Sequence, residues 1–272
     1  MKTKKLAFIG AGNMAFAVIN GLIKKNYPTN QIIACNKSNQ ARRTELAELG
    51  VTVNLTNCEA VQQADVVILA VKPQMMRDVC GEFSDLNLND KWIISVAAGI
   101  SVECLEKLLP SAQNIIRTMP NTPALIGEGV TGLFAKYSTN RTACDFTESL
   151  MNAVGKCYWV EKEEKLNQII AITGSSPAYF FRFMEAMQQS AIKMGFSEQD
   201  ARHLVQSVAL GSAKLVASNP DIPLSQLREN VTSKGGTTAE ALAIFEQYDL
   251  SKIVDDAMVA AIQRAEEMEK SL

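Results

Sequence analysis

Short apolar runs alternate with amphipathic stretches through the first 160 residues of the chain. The runs are continuous, which is typical of strands that are buried on both faces of a sheet. They lie at 6–10, 31–35, 65–71, 92–97, 114–119, 130–135 and 157–160. Helical periodicity fills the intervals at 13–25, 38–49, 74–82, 101–109 and 140–154. Strand, helix and strand in repetition predict an α/β fold with a doubly wound, mainly parallel sheet.

The pattern changes after Glu161, because only helical periodicity follows. The segments with this periodicity are 163–194, 197–218, 236–247 and 249–270. Pro177, inside the first of them, predicts a kink or a restart of that helix. We therefore predict two domains, an α/β domain at 1–161 and an all-helical domain at 162–272. Apolar faces on successive helices could pack against a second copy of the chain, so we expect a dimer.

Composition is that of a globular protein, with 47% hydrophobic and 21% charged residues among 272. The net charge of −2 argues against general nucleic-acid binding. Residues 1–44 contain eight Lys or Arg and no Asp or Glu, which favours a local site for an anion such as a phosphate.

Cysteine and histidine usage argues against a metal site. The chain has one histidine and six cysteines, and no two cysteines have CxxC spacing. Scattered cysteines are typical of a reducing compartment. No run reaches the roughly 20 apolar residues of a membrane span. We expect a cytoplasmic protein that binds neither membrane nor metal.

A first glycine pair stands in "FIGAGNMA", between the first predicted strand and the first predicted helix. Gly10 permits a tight turn, Gly12 lets a pyrophosphate approach the backbone, and Ala15 is small enough for the helix to pack on the strand. This arrangement predicts a dinucleotide site in a Rossmann-type domain. A tight turn without a ligand is the alternative.

The end of the second strand indicates which dinucleotide is bound. NAD-selective proteins place Asp or Glu there to bind the ribose hydroxyls. Here Asn36, Lys37 and Ser38 follow the strand, with Arg42 and Arg43 one turn further on. An amide, a hydroxyl and cations can bind a 2′-phosphate. The sequence therefore predicts NADP(H), with NAD(H) as the second choice; a solvated basic helix start would explain the same residues without a ligand.

Other strand ends of the predicted sheet carry small or restrained residues. "AVKP" at 70–73 ends one strand, and small residues at 97–99 would leave room for a nicotinamide and a substrate. Lys72 could be functional or merely solvent-exposed. "RTMPNTPALIGEG" at 117–129 fixes Asn121 and Thr122 between two prolines.

A second glycine pair stands in "TSKGGTTAEAL" at 232–242. Thr237 and Glu240 have the spacing of a capping box, which would explain both residues. It does not explain Gly235 and Gly236, which can form a nest for an anion such as a substrate carboxylate. Thr238 would then lie in the first turn with its hydroxyl free.

The candidate proton donors favour an easily reduced substrate. Reduction of a carbonyl usually needs a strong donor such as His or Lys. His203, the only histidine, lies in an apolar helical pattern, which favours a packed or surface role. A protonated cyclic imine is already polarised, so a hydrogen bond to its nitrogen suffices.

Together these motifs resemble those of the pyrroline-5-carboxylate reductase family over essentially the whole chain. The shared stretches are "FIGAGNMA", "AVKP", "SVAAGI", "RTMPNTPA", "TGSSPAYFF" and "KGGTTAEAL". The resemblance implies NAD(P)H-dependent reduction of 1-pyrroline-5-carboxylate to L-proline, in proline biosynthesis. It also implies a nucleotide domain followed by a helical dimerisation domain, in dimers that can assemble further.

The resemblance also implies roles for residues at matching positions. Nucleotide contacts would fall on Gly10, Ala11, Gly12, Asn13, Met14, Asn36, Asn57, Ala70, Val71, Lys72, Pro73, Ala97, Ala98 and Asn230. The substrate carboxylate would meet Ser233, Gly235, Gly236 and Thr237. Thr238 matches the threonine that binds the imine nitrogen. Lys234 departs from the proline common at this position, which leaves the rigidity of the loop open.

Three alternatives remain open at the level of sequence. One is a purely structural dimeric protein, which would leave both glycine pairs unexplained. A β-hydroxyacid dehydrogenase of the same architecture needs a catalytic lysine on the first helix of its second domain, but "TGSSPAYFFRFMEAM" contains no lysine. A non-enzymatic NADP-sensing module would not need the second glycine pair.

Overall fold

A computed structural model describes residues 3–270 of the chain. Spatial contacts divide it into two compact units. The first comprises Met1–Ser175 and Ala261–Leu272, and the second comprises Ser176–Ala260. The sequence places the domain boundary after residue 161, where strands give way to helices. This domain boundary remains a prediction. The division by contacts places residues 162–175 and the C-terminal end in the same unit as the sheet.

The first unit contains a seven-stranded sheet. Its strands are β1 (Leu6–Ile9), β2 (Ile32–Cys35), β3 (Val66–Leu69), β4 (Trp92–Ser95), β5 (Asn114–Met119), β6 (Gly129–Ala135) and β7 (Gly155–Trp159). The strand order is β2-β1-β3-β4-β5-β6-β7, and every pair is parallel except β5 with β6. The chain leaves β1 towards one edge and returns as β3 on its other side, so the strand order reverses at β1 and β3. Ligands of such sheets bind beyond the carboxyl ends of strands at this reversal.

Both faces of the sheet are covered, as the continuous apolar runs predict. Leu6 and Phe8 of β1 belong to one buried cluster, whereas Ala7 and Ile9 belong to the other. Successive side chains of a strand point to opposite faces, so each run fills two cores at once. The prediction of a doubly wound, mainly parallel sheet is confirmed.

Seven α-helices connect or flank these strands. They are α1 (Asn13–Lys24), α2 (Gln40–Glu48), α3 (Asn57–Gln63), α4 (Met76–Gly81), α5 (Val102–Leu108), α6 (Arg141–Met151) and α7 (Lys165–Ile169). The sequence pattern missed α3, although its start carries a readable signal. The Thr56 side chain accepts from the Glu59 amide, and the Glu59 carboxylate accepts from the Thr56 amide, as in a capping box.

The second unit is helical throughout its regular structure. It contains α8 (Ser176–Lys193), α9 (Glu198–Ala217), α10 (Leu224–Asn230), α11 (Thr237–Gln247) and the first half of α12 (Leu250–Lys270). A five-residue π-helix, Ile170–Gly174, precedes α8 where the sequence predicts a kink or restart. The all-helical character of this region is confirmed, and α10 was not predicted.

Large apolar side chains of the second unit are exposed in the single chain. The relative exposure of Phe180 is 68%, and that of Met194 is 77%. An apolar groove of about 630 Å³ is lined by residues of α8 and α12, among them Phe183, Ile253 and Val254. Within the described residues, no helix is long and apolar enough to cross a membrane.

Candidate functional site

The first glycine pair forms the turn from β1 into α1. Gly10 has a φ of 96°, a backbone conformation that favours glycine. Its amide donates to the Cys35 carbonyl oxygen at 3.0 Å. A Cβ on Gly10 would lie 2.5 Å from the carbonyl oxygen of Ala70. The fold itself therefore requires glycine at this position.

Gly12 stands in a different situation. Its φ of −72° suits any residue, and a Cβ there would meet no atom of residues 3–270 within 4 Å. Gly12 is the N-cap of α1, no side chain caps the helix, and its first turn contains no acidic residue. The first amides of a helix lack partners within it and attract anions. Neither the backbone conformation nor packing within the described residues therefore requires glycine at this position.

The ends of the neighbouring strands carry further predicted cofactor residues. Ala70 directly follows β3, and its amide donates to the Ile9 carbonyl oxygen at 2.8 Å. Ala97 and Ala98 follow β4, the next strand of the sheet. Ala97 is buried, whereas Lys72 is exposed. Alanines therefore stand at the ends of β3 and β4, the two strands that follow β1 in the order of the sheet.

The loop after β2 holds its own backbone through Asn36. The Asn36 Oδ1 accepts from the amides of Ser38 and Asn39, each at 3.1 Å. This turn leaves the Ser38 and Lys37 side chains exposed. The loop is therefore preformed, with a hydroxyl and a cation on its surface.

Arg42 joins the helix after this loop to the first glycine turn. Its guanidinium carbon lies 3.7 Å from the Phe16 ring centroid, and its Nη2 donates to Asn13 Oδ1 at 3.2 Å. Stacking and hydrogen bonding hold the cation beside the start of α1. Sequence reasoning placed Arg42 near a phosphate, and the structure shows what orients it.

Sequence reasoning missed one charged residue of this region, Glu82. The Lys37 Nζ lies 2.6 Å from Glu82 Oε1, and the Asn57 Nδ2 donates to Glu82 Oε2 at 3.0 Å. Two predicted cofactor residues thus share one carboxylate. Glu82 follows α4, far from both in sequence, and no motif marks it. Only the fold brings it to the end of β2.

Asn121 has a structural role in the restrained loop after β5. Its Nδ2 donates to the Thr173 carbonyl oxygen at 2.9 Å, and its Oδ1 accepts from the Val130 amide at 2.8 Å. The side chain is 7% exposed. Its amide group therefore ties this loop to the π-helix at 170–174.

The second glycine pair lies in the second unit, at the start of α11. Gly235 has a φ of 70°. The Gly236 amide donates to the Ser233 carbonyl oxygen at 3.0 Å, which closes a tight turn. A Cβ on Gly236 would lie 2.4 Å from Ser233 Oγ. The backbone of Gly235 favours glycine, whereas at Gly236 the extended backbone suits any residue and only the close Ser233 side chain restricts a substitution.

The predicted capping box at Thr237 is wrong. Gly236 is the N-cap of α11, and no side chain in the described part of the chain caps this helix. Thr237 is the first helical residue, because the extended backbone of Gly236 (φ −88°, ψ 170°) already takes the cap position. Thr238 is exposed in the first turn. The helix start therefore keeps its amides available for an anion.

Asn230, a predicted cofactor residue, and His203, a candidate proton donor, lie on helices of the second unit. Asn230 is the last residue of α10, and its Oδ1 accepts from Gln226 Nε2 at 3.0 Å. His203 is exposed on α9. The second unit thus holds Asn230 and all the predicted substrate residues, and the first unit holds the other predicted cofactor residues.

The cysteines have the character of packed apolar residues. Burial raises the pKa of Cys35 to about 11 and the pKa values of Cys80 and Cys157 to about 12. These thiols stay protonated at neutral pH, which suits neither a metal ligand nor a nucleophile. Among residues 3–270, no three His, Cys, Asp or Glu side chains form a metal-binding group.

Two family models match the chain. The model described as pyrroline-5-carboxylate reductase dimerisation matches residues 163–268. The model described as NADP oxidoreductase coenzyme F420-dependent matches residues 5–99. The first covers the helical region, and the second covers the Gly10 turn and the ends of β1 to β4.

Relatives match along the full length of the chain. A pyrroline-5-carboxylate reductase of Haemophilus influenzae is 51% identical, with 99% of each chain covered. A solved pyrroline-5-carboxylate reductase of Coxiella burnetii is 37% identical with a TM-score of 0.90, covering 98% of this chain and 99% of the other. A Plasmodium falciparum pyrroline carboxylate reductase, solved with NADP bound, is 28% identical with a TM-score of 0.87 and 99% coverage of each.

Proposed function

The chain belongs to the pyrroline-5-carboxylate reductase family, and we propose that its two glycine loops divide the family's reaction between a dinucleotide site and a substrate site. The protein is an oxidoreductase of proline biosynthesis that reduces 1-pyrroline-5-carboxylate to L-proline with NAD(P)H. The assignment of residues to the two ligands is our proposal, and the local geometry of each unit supports it.

NADP(H) binds at the carboxyl edge of the sheet in this proposal. The pyrophosphate meets the amides at the start of α1 across Gly12, whose open Cβ position supports a close approach. The adenosine ribose lies beside Asn36 at the end of β2. The nicotinamide lies along the small residues after β3 and β4. The full set is Gly10, Ala11, Gly12, Asn13, Met14, Asn36, Lys37, Ser38, Asn57, Ala70, Val71, Lys72, Pro73, Ala97, Ala98 and Asn230.

The substrate carboxylate binds at the start of α11. Gly235 and Gly236 shape the turn, and the uncapped amides of the helix face the anion with the favourable end of the helix dipole. Ser233 and Thr237 flank the same turn. Lys234, exposed beside it, adds a cation near the carboxylate. The uncapped helix start is the single observation that carries this assignment.

Thr238 contacts the imine nitrogen of the substrate in this proposal. When bound, the reduced nicotinamide supplies the hydride that adds to the carbon of the C=N bond. The Thr238 hydroxyl donates a hydrogen bond to the lone pair of the neutral imine nitrogen and assists its protonation by a proton from solvent, so that the nitrogen carries no negative charge once the hydride has added to the carbon. A carbon–nitrogen double bond becomes a single bond, and the product is a secondary amine.

The helical region supports self-association. A match to a dimerisation model and the exposed apolar residues of α8 and α12 both favour contact with a second copy. We propose a homodimer or a larger assembly that acts in the cytoplasm, without nucleic-acid or membrane partners. Sedimentation of the purified protein tests the association state.

Turnover separates this function from the alternatives. NADPH oxidation, followed by the absorbance of the reduced nicotinamide, is expected with 1-pyrroline-5-carboxylate. A β-hydroxyacid dehydrogenase would instead reduce NADP with hydroxyacids, through a lysine that α8 lacks before Lys193. A sensing module would bind NADPH without turnover of either substrate class. Either of these results would contradict the proposal.

A further inference from the structure

The carboxylate of Glu82 lies where the sequence after β2 lacks an acid. The structure assigns to Glu82 a role in nucleotide selectivity: it competes with a 2′-phosphate for Lys37 and offers an acceptor to a ribose hydroxyl, which limits the preference for NADPH over NADH. This inference rests on the nucleotide placement proposed above.

Glu82 is held in place by two partners from different elements. Lys37 reaches it from the loop between β2 and α2, at 2.6 Å, and Asn57 reaches it from the first position of α3, at 3.0 Å. Asn57 is 5% exposed, so the carboxylate has a fixed, buried neighbour on one side. On the other side, Lys37 is 72% exposed and Glu82 is 33% exposed at the side chain.

The charge of Glu82 acts at the end of β2 itself. After burial, the Glu82 carboxylate is the largest cause that raises the pKa of the Cys35 thiol. Cys35 is the last residue of β2. In dinucleotide-binding domains this strand end faces the adenosine ribose, where an acidic residue accepts the ribose hydroxyls. Glu82 supplies such a residue from the position after α4 instead of from the end of β2.

The two nucleotides would meet this carboxylate differently. NADH presents a 2′-hydroxyl, which can donate to Glu82 while Lys37 stays paired. NADPH presents a doubly charged phosphate, which Glu82 repels and which must take Lys37 from it. Exposed ion pairs are weak, so the phosphate can break this one. Glu82 therefore weakens the binding of NADPH and not that of NADH.

Glu82→Gln tests the inference because it removes the charge and keeps a hydrogen-bond acceptor for Asn57. Dissociation constants of NADPH and NADH are measured by nucleotide fluorescence at fixed ionic strength. We expect the Kd of NADPH to fall roughly fivefold, since a freed Lys37 contacts the phosphate without a competing charge. The Kd of NADH should stay equal or rise, so the ratio between the two nucleotides changes in favour of NADPH.

Two further variants serve as controls. One tests whether the loss of any negative charge changes the ratio of dissociation constants, and the other tests whether the change depends on Lys37. Glu106→Gln removes the same charge from another partly exposed pair, in which Lys136 Nζ lies 2.7 Å from Glu106 Oε2. It should leave the ratio of dissociation constants unchanged. Lys37→Gln combined with Glu82→Gln should lose the gain in NADPH affinity, because the cation that the single variant frees is absent.

Three results would overturn the inference. They are an unchanged ratio in Glu82→Gln, an equal weakening of both nucleotides through a displaced Asn57, and a gain that survives Lys37→Gln. Gly12→Val separates these failures from failure of the placement itself. If Gly12→Val binds NADPH as tightly as the parent chain, the proposed nucleotide site is wrong. If Gly12→Val binds NADPH poorly and Glu82→Gln leaves the ratio of dissociation constants unchanged, only the role of Glu82 is wrong.

Discussion

Arg117 in β5 and Glu269 near the end of α12 form an ion pair with a nitrogen–oxygen distance of 2.6 Å. Glu163 pairs with the same Nη1 at 2.9 Å, and its Oε1 also accepts from the Val102 amide at 2.8 Å. Asn167 donates to the second oxygen of Glu269 at 3.0 Å. Arg117 is 1% exposed. Within the first unit, one buried cation therefore ties the C-terminal helix end and the segment after β7 to the sheet.

Arg117→Ala should be strongly destabilising. It leaves Glu163 and Glu269 facing each other without a cation, and loss of one partner of a buried ion pair costs about 3–5 kcal/mol. Thermal unfolding at fixed protein concentration measures the effect. Arg141→Ala is the control, because Arg141 pairs with Asp145 at 2.8 Å but is 84% exposed. Its Tm should match that of the parent, and an equal Tm for Arg117→Ala would refute the role of the cluster.

Valine at Gly10 and at Gly12 should have opposite effects. Gly10→Val places a side chain at positive φ and against the Ala70 carbonyl, so Tm should fall sharply. Gly12→Val finds open space, so Tm should hold while NADPH affinity falls at least about tenfold, or 1.4 kcal/mol. Thermal unfolding gives the Tm of each variant, and NADPH titration of the same preparations gives its affinity. Equal stability of the two variants would show that the two glycines do not differ in this way.

The fold could be predicted from the sequence because each apolar run is long enough to fill two cores. β1 shows this directly, since alternate residues enter different clusters. Helix α3 was not predicted because its seven residues are too few to show a clear helical period. The capping box at Thr56 and Glu59 nevertheless marks its start.

The candidate site could be predicted only where residues adjacent in sequence act together. The turns at Gly10 and Gly236 satisfy this condition. Glu82 does not, because it meets Lys37 only after β2 and α4 have packed on neighbouring parts of the sheet. The capping box at Thr237 was wrong for a local reason, since Gly236 takes the cap position first.

Gly236→Val should weaken substrate binding. A side chain there collides with Ser233 Oγ and displaces the turn that presents the α11 amides. The KM for 1-pyrroline-5-carboxylate should rise at least about tenfold, which corresponds to loss of 1.4 kcal/mol, while the Kd of NADPH stays constant. Gly211→Ala is a matched control, because a Cβ on Gly211 in α9 would meet no atom within 4 Å. An unaltered KM for Gly236→Val would contradict the carboxylate assignment.

Thr238→Ala should lower kcat by on the order of 10²-fold, because hydrogen-bond assistance to proton transfer is lost. NADPH affinity and Tm should remain those of the parent, since the Thr238 side chain is exposed in the single chain. Thr238→Ser keeps the hydroxyl and should retain most of the activity. Steady-state kinetics of the three proteins provide the comparison, and a kcat of Thr238→Ala equal to that of the parent would remove the hydroxyl from the mechanism.

A crystal structure with NADP⁺ and L-proline bound tests most directly whether the two glycine loops serve one reaction. We predict the proline carboxylate on the amides at the start of α11 and the Thr238 hydroxyl on the ring nitrogen. The ring carbon next to that nitrogen, on the side away from the carboxylate, should lie about 3–3.5 Å from the nicotinamide carbon that carries the hydride. Proline bound elsewhere, with Gly236 and Thr238 of every subunit remote from the nicotinamide, would contradict the account.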